Sequence, residues 1–279
     1  MTRKILRLIG QVLIGAVAAV FGYFSYAYLT LPDVRQLRLS NPPTTAFMEL
    51  RAREAEAHGI VPHPTQHWVG YSHISRDLKR AVLVAEDDAF WQHEGVDFEQ
   101  LQESIELDLK RGRLVRGGST ITQQLAKNLY LSPSKNPMRK VRELIIARRL
   151  EAELKKARIF EIYLNVIEWG DGVYGAEAAA RTYFHTSAAA LGPSESALLA
   201  ASIVNPRLYN PGHPNARLIR RQQLILKRMG GVQPPVETAG APGPVQPVAD
   251  TIEVPEAEPE PANVLPDAVP LPDALPIEK

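Results

Sequence analysis

The sequence of 279 residues contains no cysteine, which excludes disulfides and thiolate chemistry. It also lacks the P-loop motif Gly-x-x-x-x-Gly-Lys-Ser/Thr, the metalloprotease motif His-Glu-x-x-His and the esterase motif Gly-x-Ser-x-Gly. Segments with the alternating pattern of a β-strand are almost absent. These absences favour a mainly α protein whose chemistry depends on carboxylates, amides and cationic side chains.

Charged residues are missing from residues 8–32, a stretch longer than the roughly 20 residues that cross a bilayer as a helix. Three cationic residues precede it, whereas Asp33 and Arg35 follow it with opposite charges. The positive-inside rule therefore predicts a cytoplasmic segment at 1–7, a transmembrane anchor at 8–32 and a body outside the cytoplasm. A cleaved signal peptide is the alternative, but the apolar stretch is longer than the usual signal core.

Acidic residues are concentrated at the end of the chain, where nine of them and one lysine follow residue 230. Because the whole chain carries a net charge of +1, residues 1–230 carry +9. The segment 231–279 is rich in proline and has no aromatic residue, so we predict that it is disordered. The basic body suits an anionic partner such as phosphate or lipid headgroups. Nucleic acid is not predicted as a partner, because the body lies outside the cytoplasm.

Apolar residues at helical spacing dominate residues 33–230, which we predict to form one mainly α domain. Glycines at 170, 172 and 175 predict a turn. The predicted helices are 47–58, 74–86, 98–109, a helix that begins after Thr120, 139–154, 159–166, 176–184, 196–204 and 217–229.

Glu86 ends an apolar run, Ala81 to Ala85. A carboxylate at the edge of an apolar wall is readily desolvated, which raises its pKa toward the range of a general base. We therefore predict that Glu86 is a catalytic base. Taken alone, the acidic trio Glu86-Asp87-Asp88 also fits a solvated helix end.

A second stretch, Arg116 to Asn128, places a Gly-Gly turn before a helix. Thr120 and Gln123 have capping-box spacing, and apolar residues recur at every fourth position. A helix N-terminus that follows glycines and an arginine is a natural phosphate site. We therefore predict that phosphate binds there. The basic loop 110–116 is either a solvated surface loop or a lid that grips the phosphate.

These two stretches and three later motifs resemble the peptidoglycan glycosyltransferases, most closely the monofunctional, membrane-anchored type of Gram-negative bacteria. Glu-Asp-x-x-Phe-x-x-His-x-Gly occurs at 86–95, and Gly-x-Ser-Thr-Ile-x-Gln-Gln at 117–124. Arg-Lys-x-x-Glu occurs at 139–143, Tyr-Leu-Asn with later glycines at 163–175, and Ala-Leu-Leu-Ala with Asn-Pro at 197–206. The resemblance covers 33–230, and the acidic tail lies outside it.

The resemblance implies a lysozyme-like helical fold and the polymerisation of lipid II. The GlcNAc 4-hydroxyl of one substrate attacks C1 of a lipid-linked MurNAc, polyprenyl diphosphate leaves, and the inverted centre forms a β-1,4 bond. It also implies anchoring in the cell inner membrane with the catalytic domain in the periplasm. The implied partners are lipid II, a lipid-linked glycan strand, the membrane and other cell-wall synthesis proteins.

The departing diphosphate gathers negative charge, so it requires cations rather than a general acid. We therefore assign Glu143 to orienting a basic residue or to holding a divalent cation, Mg²⁺ or Mn²⁺. Glu86 and Glu143 are the predicted catalytic residues. The predicted substrate-binding residues are Asp87, Phe90, His93, Gly117, Gly118, Ser119, Thr120, Gln123, Gln124, Lys127, Asn128, Arg139, Lys140, Arg148 and Asn165.

Two other functions are compatible with parts of the pattern. A lysozyme-like muramidase or lytic transglycosylase would use the same glutamate, but it must protonate a sugar oxygen and needs no diphosphate site. A non-enzymatic scaffold of the wall-synthesis machinery would not require Glu86 and Glu143.

Overall fold

A computed structural model describes residues 3–97, 102, 106, 118–131 and 137–230. The predicted helix 98–109 falls largely outside the described residues. The basic loop 110–116, Gly117 and the tail 231–279 fall outside them entirely. The predictions for these segments therefore stay predictions.

Helix α1, Arg3–Leu29, contains most of the long uncharged stretch 8–32. Its segment Arg7–Tyr26 has a mean hydropathy of 1.9, and none of it is buried against the rest of the protein. In length and composition this helix can cross a membrane, as the sequence predicts. The helix therefore suits the membrane anchor that the sequence predicts.

The described body is mainly helical, with two short 3₁₀ helices at Arg35–Arg38 and Tyr71–His73. This confirms the predicted fold class. The α-helices of the body are α2 Ala46–Ala57, α3 Arg76–Glu86, α4 Ile121–Tyr130, α5 Pro137–Glu153, α6 Lys156–Val166, α7 Ala176–Phe184, α8 Pro193–Ser202 and α9 Ala216–Met229.

Short polar side chains begin four of these helices. Each accepts a hydrogen bond from the backbone N–H three residues later, which satisfies a donor without an intrahelical partner. The four capping residues are Thr45, Ser75, Thr120 and Asn215. The predicted cap at Thr120 is confirmed, but the side chain of Gln123 does not return to the Thr120 backbone. It donates instead to the carbonyl oxygen of Gly95 at 3.1 Å.

The described chain also contains a small sheet that the sequence analysis did not predict. Its strands are β1 Thr65–Gln66, β2 Glu168–Gly170 and β3 Val173–Tyr174, in the order β1-β3-β2. β1 runs parallel to β3, and β2 runs antiparallel to it. The predicted glycine turn is the connection of this β2–β3 hairpin. Strands of two or three residues are too short to show the alternation that identifies a strand in a sequence.

The hydrophobic core joins two groups of helices. α3 packs against α8 and α9, while α4 packs against α5 and α6. Aromatic side chains fill the space between the elements, and the largest fully buried ones are Trp169, Tyr163, Tyr174, Phe90 and Phe160. This core fixes the C-terminal end of α3 and the first turn of α4, which carry the two principal motifs.

Helix α5 contacts the end of the anchor. Arg142 Nη2 donates to the carbonyl oxygen of Thr30 at 3.2 Å, and the guanidinium of Arg149 lies 4.5 Å from the centre of the Tyr28 ring. Arg142 and Arg149 are seven residues apart and therefore lie on one face of the helix. This face holds α5 close to the C-terminal end of α1.

Gly175 precedes α7 with a backbone φ of +83°, and a Cβ atom there would lie 2.7 Å from the backbone oxygen of Asn165. Gly175→Ala is expected to lower the free energy of unfolding by more than about 2 kcal/mol, because it combines backbone strain with a clash. Gly59 is the matched control, since its φ is +72° and no atom lies within 4 Å of the point where a Cβ atom would stand. Gly59→Ala should cost only about 1 kcal/mol. Thermal unfolding in detergent measures both, and equal losses would contradict the clash.

Candidate active site

Glu86 is the last residue of α3, and it lies at the edge of the core. The side-chain amide of Gln124 donates to Glu86 Oε2 at 2.9 Å. Burial raises the pKa of Glu86, while the Gln124 hydrogen bond and the charges of Arg221 and Lys127 act in the opposite direction. The predicted desolvation is confirmed. A glutamate with a raised pKa suits proton abstraction near neutral pH.

The charge of Lys127 interacts with both predicted catalytic carboxylates, Glu143 and Glu86. Lys127 as a whole reaches solvent. Protein atoms around its ammonium group nevertheless lower its pKa, and the cations Arg139 and Lys140 act in the same direction. A partly desolvated ammonium is a stronger partner for an anion than one in bulk water.

Asp87, the residue after Glu86, is buried and only 2% exposed. One of its oxygens accepts the backbone N–H of Ile121 at 2.9 Å. His93 Nε2 lies 3.0 Å from Asp87 Oδ1, and the backbone N–H of Gly95 donates to His93 Nδ1 at 3.2 Å. Nδ1 is therefore an acceptor, so Nε2 carries the proton and donates to Asp87.

These bonds occupy part of the helix end at which the sequence predicts a phosphate. The N-terminus of α4 already holds the carboxylate of Asp87 on the N–H of Ile121, and Thr120 accepts the N–H of Gln123 at 3.2 Å. An anion at the N–H group of Ile121 would have to displace the buried carboxylate of Asp87. Cationic side chains that suit an anion lie on the neighbouring helix.

Helix α5 supplies such side chains through the Arg-Lys-x-x-Glu motif. Glu143 is 3% exposed, and its two oxygens contact Arg139 Nη1 at 3.0 Å and Lys140 Nζ. Lys140 Nζ also donates to Gln123 Oε1 at 2.9 Å and to Ser119 Oγ at 3.2 Å. The carboxylate thus holds two cations, of which Lys140 contacts the beginning of α4.

A chain of contacts links Glu86 to these cations. Gln124 Nε2 donates to Glu86 and is 3.4 Å from the backbone oxygen of Ser119, whose hydroxyl accepts from Lys140. The site therefore has a carboxylate at one end and cations at the other, with amide and hydroxyl groups between. This arrangement can remove a proton at one point and stabilise a growing negative charge at another.

The donor groups around Glu143 do not fit a divalent cation. Both of its oxygens contact cationic groups, and a metal ion there would face Arg139 and Lys140. Asp87, His93 and Asp97 form another group whose ligand atoms lie within 4.8 Å of one another. In that group, however, both ring nitrogens of His93 already have partners. The geometry therefore favours the orienting role of Glu143.

Comparison with known proteins identifies the family. A family model described as Transglycosylase matches residues 54–230, which is more than half of the chain. A biosynthetic peptidoglycan transglycosylase of Dechloromonas aromatica is 51% identical over 195 residues, 70% of this chain and 84% of its own. Proteins of the same name from Laribacter hongkongensis and Chromobacterium violaceum are 46% and 43% identical. These two alignments cover 80% and 82% of this chain, and 98% and 99% of the relatives.

The chain belongs to the transglycosylase family. This confirms the resemblance drawn from the five motifs, together with the lysozyme-like, mainly α fold that it implies. The matched transglycosylase region lies within the predicted domain 33–230 and contains all the described residues of the site.

Most of the predicted residues belong to one network in the transglycosylase domain. Thr120 contacts the loop after α3 through its hydroxyl, which donates to the Gly95 carbonyl oxygen at 2.8 Å. Asn128 donates to the backbone oxygen of Gln124 within α4 at 2.8 Å. Gly118 is half-buried beside Ser119. The network comprises Glu86, Asp87, His93, Ser119, Thr120, Gln123, Gln124, Lys127, Asn128, Arg139, Lys140 and Glu143.

Three of the residues assigned to substrate binding lie elsewhere. Phe90 is fully buried, with its ring centre 5.5 Å from that of Phe160. Asn165 is fully buried and exchanges two hydrogen bonds of 2.9 Å with the backbone of Val69. Neither has the surface that substrate binding requires, so we assign both to holding the fold. Arg148 is exposed on α5, about 140° around the helix from Glu143.

The sequence analysis missed two contributors to the site. The carbonyl oxygen of Gly95 accepts from Thr120 and Gln123, which ties the loop after α3 to α4. The hydroxyl of Tyr163 donates to Gln124 Oε1 at 2.9 Å. The Tyr-Leu-Asn motif contains this tyrosine, but its apolar neighbours suggested only a core helix.

Proposed function

We propose that this protein polymerises lipid II into β-1,4 glycan strands, with Glu86 as the general base. Its family and the names of its relatives make it a peptidoglycan glycosyltransferase of cell-wall synthesis. The proposal for individual residues rests on the contact chain that joins a desolvated carboxylate to a cluster of cations.

The reaction requires one proton transfer and one departing group. As the GlcNAc 4-hydroxyl oxygen bonds to C1 of the donor MurNAc, its proton passes to Glu86. The bond between C1 and the diphosphate oxygen breaks, and the electron pair leaves with the diphosphate. Attack from the face opposite the leaving group inverts the anomeric centre. A sugar hydroxyl is a poor nucleophile, so a carboxylate base whose pKa is raised by burial gives a large advantage.

The cations act on the leaving group. The cations are Lys127, Arg139 and Lys140, and the charge of Lys127 interacts with those of the other two. Glu143 orients Arg139 and Lys140 through its two ion pairs. Fixed charges stabilise the negative charge that grows on the diphosphate without having to reorganise during the reaction. A diphosphate needs no proton to depart, so Glu143 serves by position.

The anchor brings the site to its substrates. Lipid II and the growing strand both carry polyprenyl tails, so an enzyme held by α1 meets them in the plane of the bilayer. The contacts of Arg142 and Arg149 with the end of α1 keep α5, and thus its cations, close to the lipid headgroups. We propose that the anchor lies in the inner membrane with the body in the periplasm, following the positive charges in the first turns of α1.

A gel assay of the purified full-length protein with labelled lipid II in detergent tests the proposed function. The expected result is a ladder of glycan strands. Parallel reactions with Mg²⁺ and with a chelator show whether a divalent cation contributes. Labelled strands that become shorter, with no ladder from lipid II, would replace polymerisation by glycan cleavage. If the protein neither polymerises lipid II nor shortens labelled strands, a role as a scaffold would be favoured.

A further inference from the structure

Tyr163 is a buried polar residue directly behind the catalytic network. It lies in α6 and is fully buried, with its ring 6.5 Å from that of Phe160. Its hydroxyl donates to Gln124 Oε1 at 2.9 Å, and Gln124 Nε2 donates to Glu86 Oε2 at the same distance. Among the described residues, Gln124 makes the only side-chain hydrogen bond to Glu86.

The two ends of the Gln124 amide are not equivalent for Glu86. An N–H group stabilises the carboxylate, whereas a carbonyl oxygen in the same place would repel it. A glutamine side chain can exchange these ends by rotation, so something must select one orientation. The Tyr163 hydroxyl does so by occupying the carbonyl end.

The hydroxyl is retained as a donor across the working range of pH. Burial raises the pKa of Tyr163 well above its usual value, and the negative charges of Glu86 and Asp87 act in the same direction. The charged groups that act on Glu86 are Asp87, Lys127 on α4 and Arg221 on α9. None of them contacts the carbonyl end of Gln124 through a described hydrogen bond.

We propose that Tyr163 is a positioning residue for the base, and that its hydroxyl orients the Gln124 amide so that the N–H group faces Glu86. Tyr163 touches no reacting atom. It leaves the second oxygen of Glu86 available to the attacking hydroxyl. The inference rests on the proposed function, in which Glu86 is the base.

Tyr163→Phe removes the hydroxyl and keeps the ring. Without its donor, the Gln124 amide turns part of the time, and Glu86 then loses its N–H partner. The pKa of Glu86 rises, because the charged carboxylate is less stabilised. The rate of polymerisation is therefore expected to fall about tenfold at pH values below that pKa and to recover toward the wild-type rate at high pH. Measurement of kcat/KM against pH tests this.

Tyr183→Phe is the matched control. It also removes a tyrosine hydroxyl that donates to an acceptor inside the protein, in this case the Trp169 carbonyl oxygen at 3.3 Å rather than Gln124. Its pH profile should coincide with that of the wild type. A purely structural loss in Tyr163→Phe would lower the rate by the same factor at every pH, and this result would overturn the inference.

A double-mutant cycle tests whether Tyr163 acts through Gln124. Gln124→Ala removes the intermediary, so adding Tyr163→Phe to it should change the pH profile no further. A full additional tenfold loss in the double variant would overturn the inference.

Carbon-13 NMR of labelled glutamate carboxyl groups, assigned with Glu86→Gln, measures the Glu86 pKa without relying on turnover. A higher pKa in Tyr163→Phe than in Tyr183→Phe supports the inference. If the wild type fails to polymerise lipid II but this shift is present, the proposed function fails and the positioning role stands. If the wild type polymerises and the shift is absent, the positioning role fails alone.

Discussion

Glu86→Gln is expected to lower the rate of lipid II polymerisation by about 10²–10⁴-fold, the usual contribution of a general base. Glutamine matches glutamate in size, and its carbonyl oxygen can still accept the hydrogen bond from Gln124. The change therefore removes the proton acceptor while preserving the packing at the end of α3. Binding of lipid II, measured by the change in fluorescence of a labelled substrate, should persist.

The pH profile distinguishes loss of the base from general damage. The raised pKa of Glu86 means that the wild-type rate climbs as pH rises through that value, because only the carboxylate accepts a proton. The residual activity of Glu86→Gln should not show this rise with pH. Asp88→Asn is the matched control, since Asp88 is the next carboxylate but one and pairs with Arg228 at 2.8 Å. Retention of substantial turnover in Glu86→Gln would remove this residue from the role of base.

Glu143→Gln is expected to lower kcat by about 10²-fold, with a smaller effect on KM. The substitution keeps the shape of the side chain but removes the charge that fixes Arg139 and Lys140. Both cations remain, yet they no longer hold the positions that stabilise the departing diphosphate. Steady-state kinetics with lipid II in detergent measures the effect.

Glu177→Gln is the control for Glu143→Gln. Glu177 is also buried, and it accepts hydrogen bonds of 2.7 Å from Arg181 and from the backbone N–H of Ala188. Its replacement should affect stability without a comparable loss of kcat. The orienting role further requires that added Mg²⁺ or Mn²⁺ leave the deficit of Glu143→Gln unchanged. Restoration of kcat by either ion would contradict it and assign Glu143 to metal binding.

The helices were predictable because their information is local. In α3 the buried Leu78, Val82 and Leu83 follow a capping serine within one short segment. The desolvation of Glu86 could be predicted in the same way, because the apolar run Ala81 to Ala85 directly precedes it. α7 matches its predicted bounds, because its alanines and the preceding glycine define both its packing and its start.

The roles that required distant partners were not predictable. In the sequence, Asp87 has the pattern of a carboxylate at a solvated helix end. In the structure it accepts a hydrogen bond from the backbone N–H of a residue 34 positions later. Asn165 pairs with a segment 96 positions earlier, so its burial cannot be read from its own helix. A motif shows that a residue type is required at a position without showing whether it faces substrate or supports the fold.

The release of polyprenyl diphosphate tests the central claim most directly, because it separates transfer from cleavage. Phosphorus-31 NMR of the full-length protein with lipid II, run beside a measurement of glycan length, counts both products in one reaction. Transfer from a diphosphate predicts one polyprenyl diphosphate for every new glycosidic bond in the wild type, and a loss of both products in Glu86→Gln. Shortened glycan without diphosphate release, or release without growth of the strand, would contradict the account.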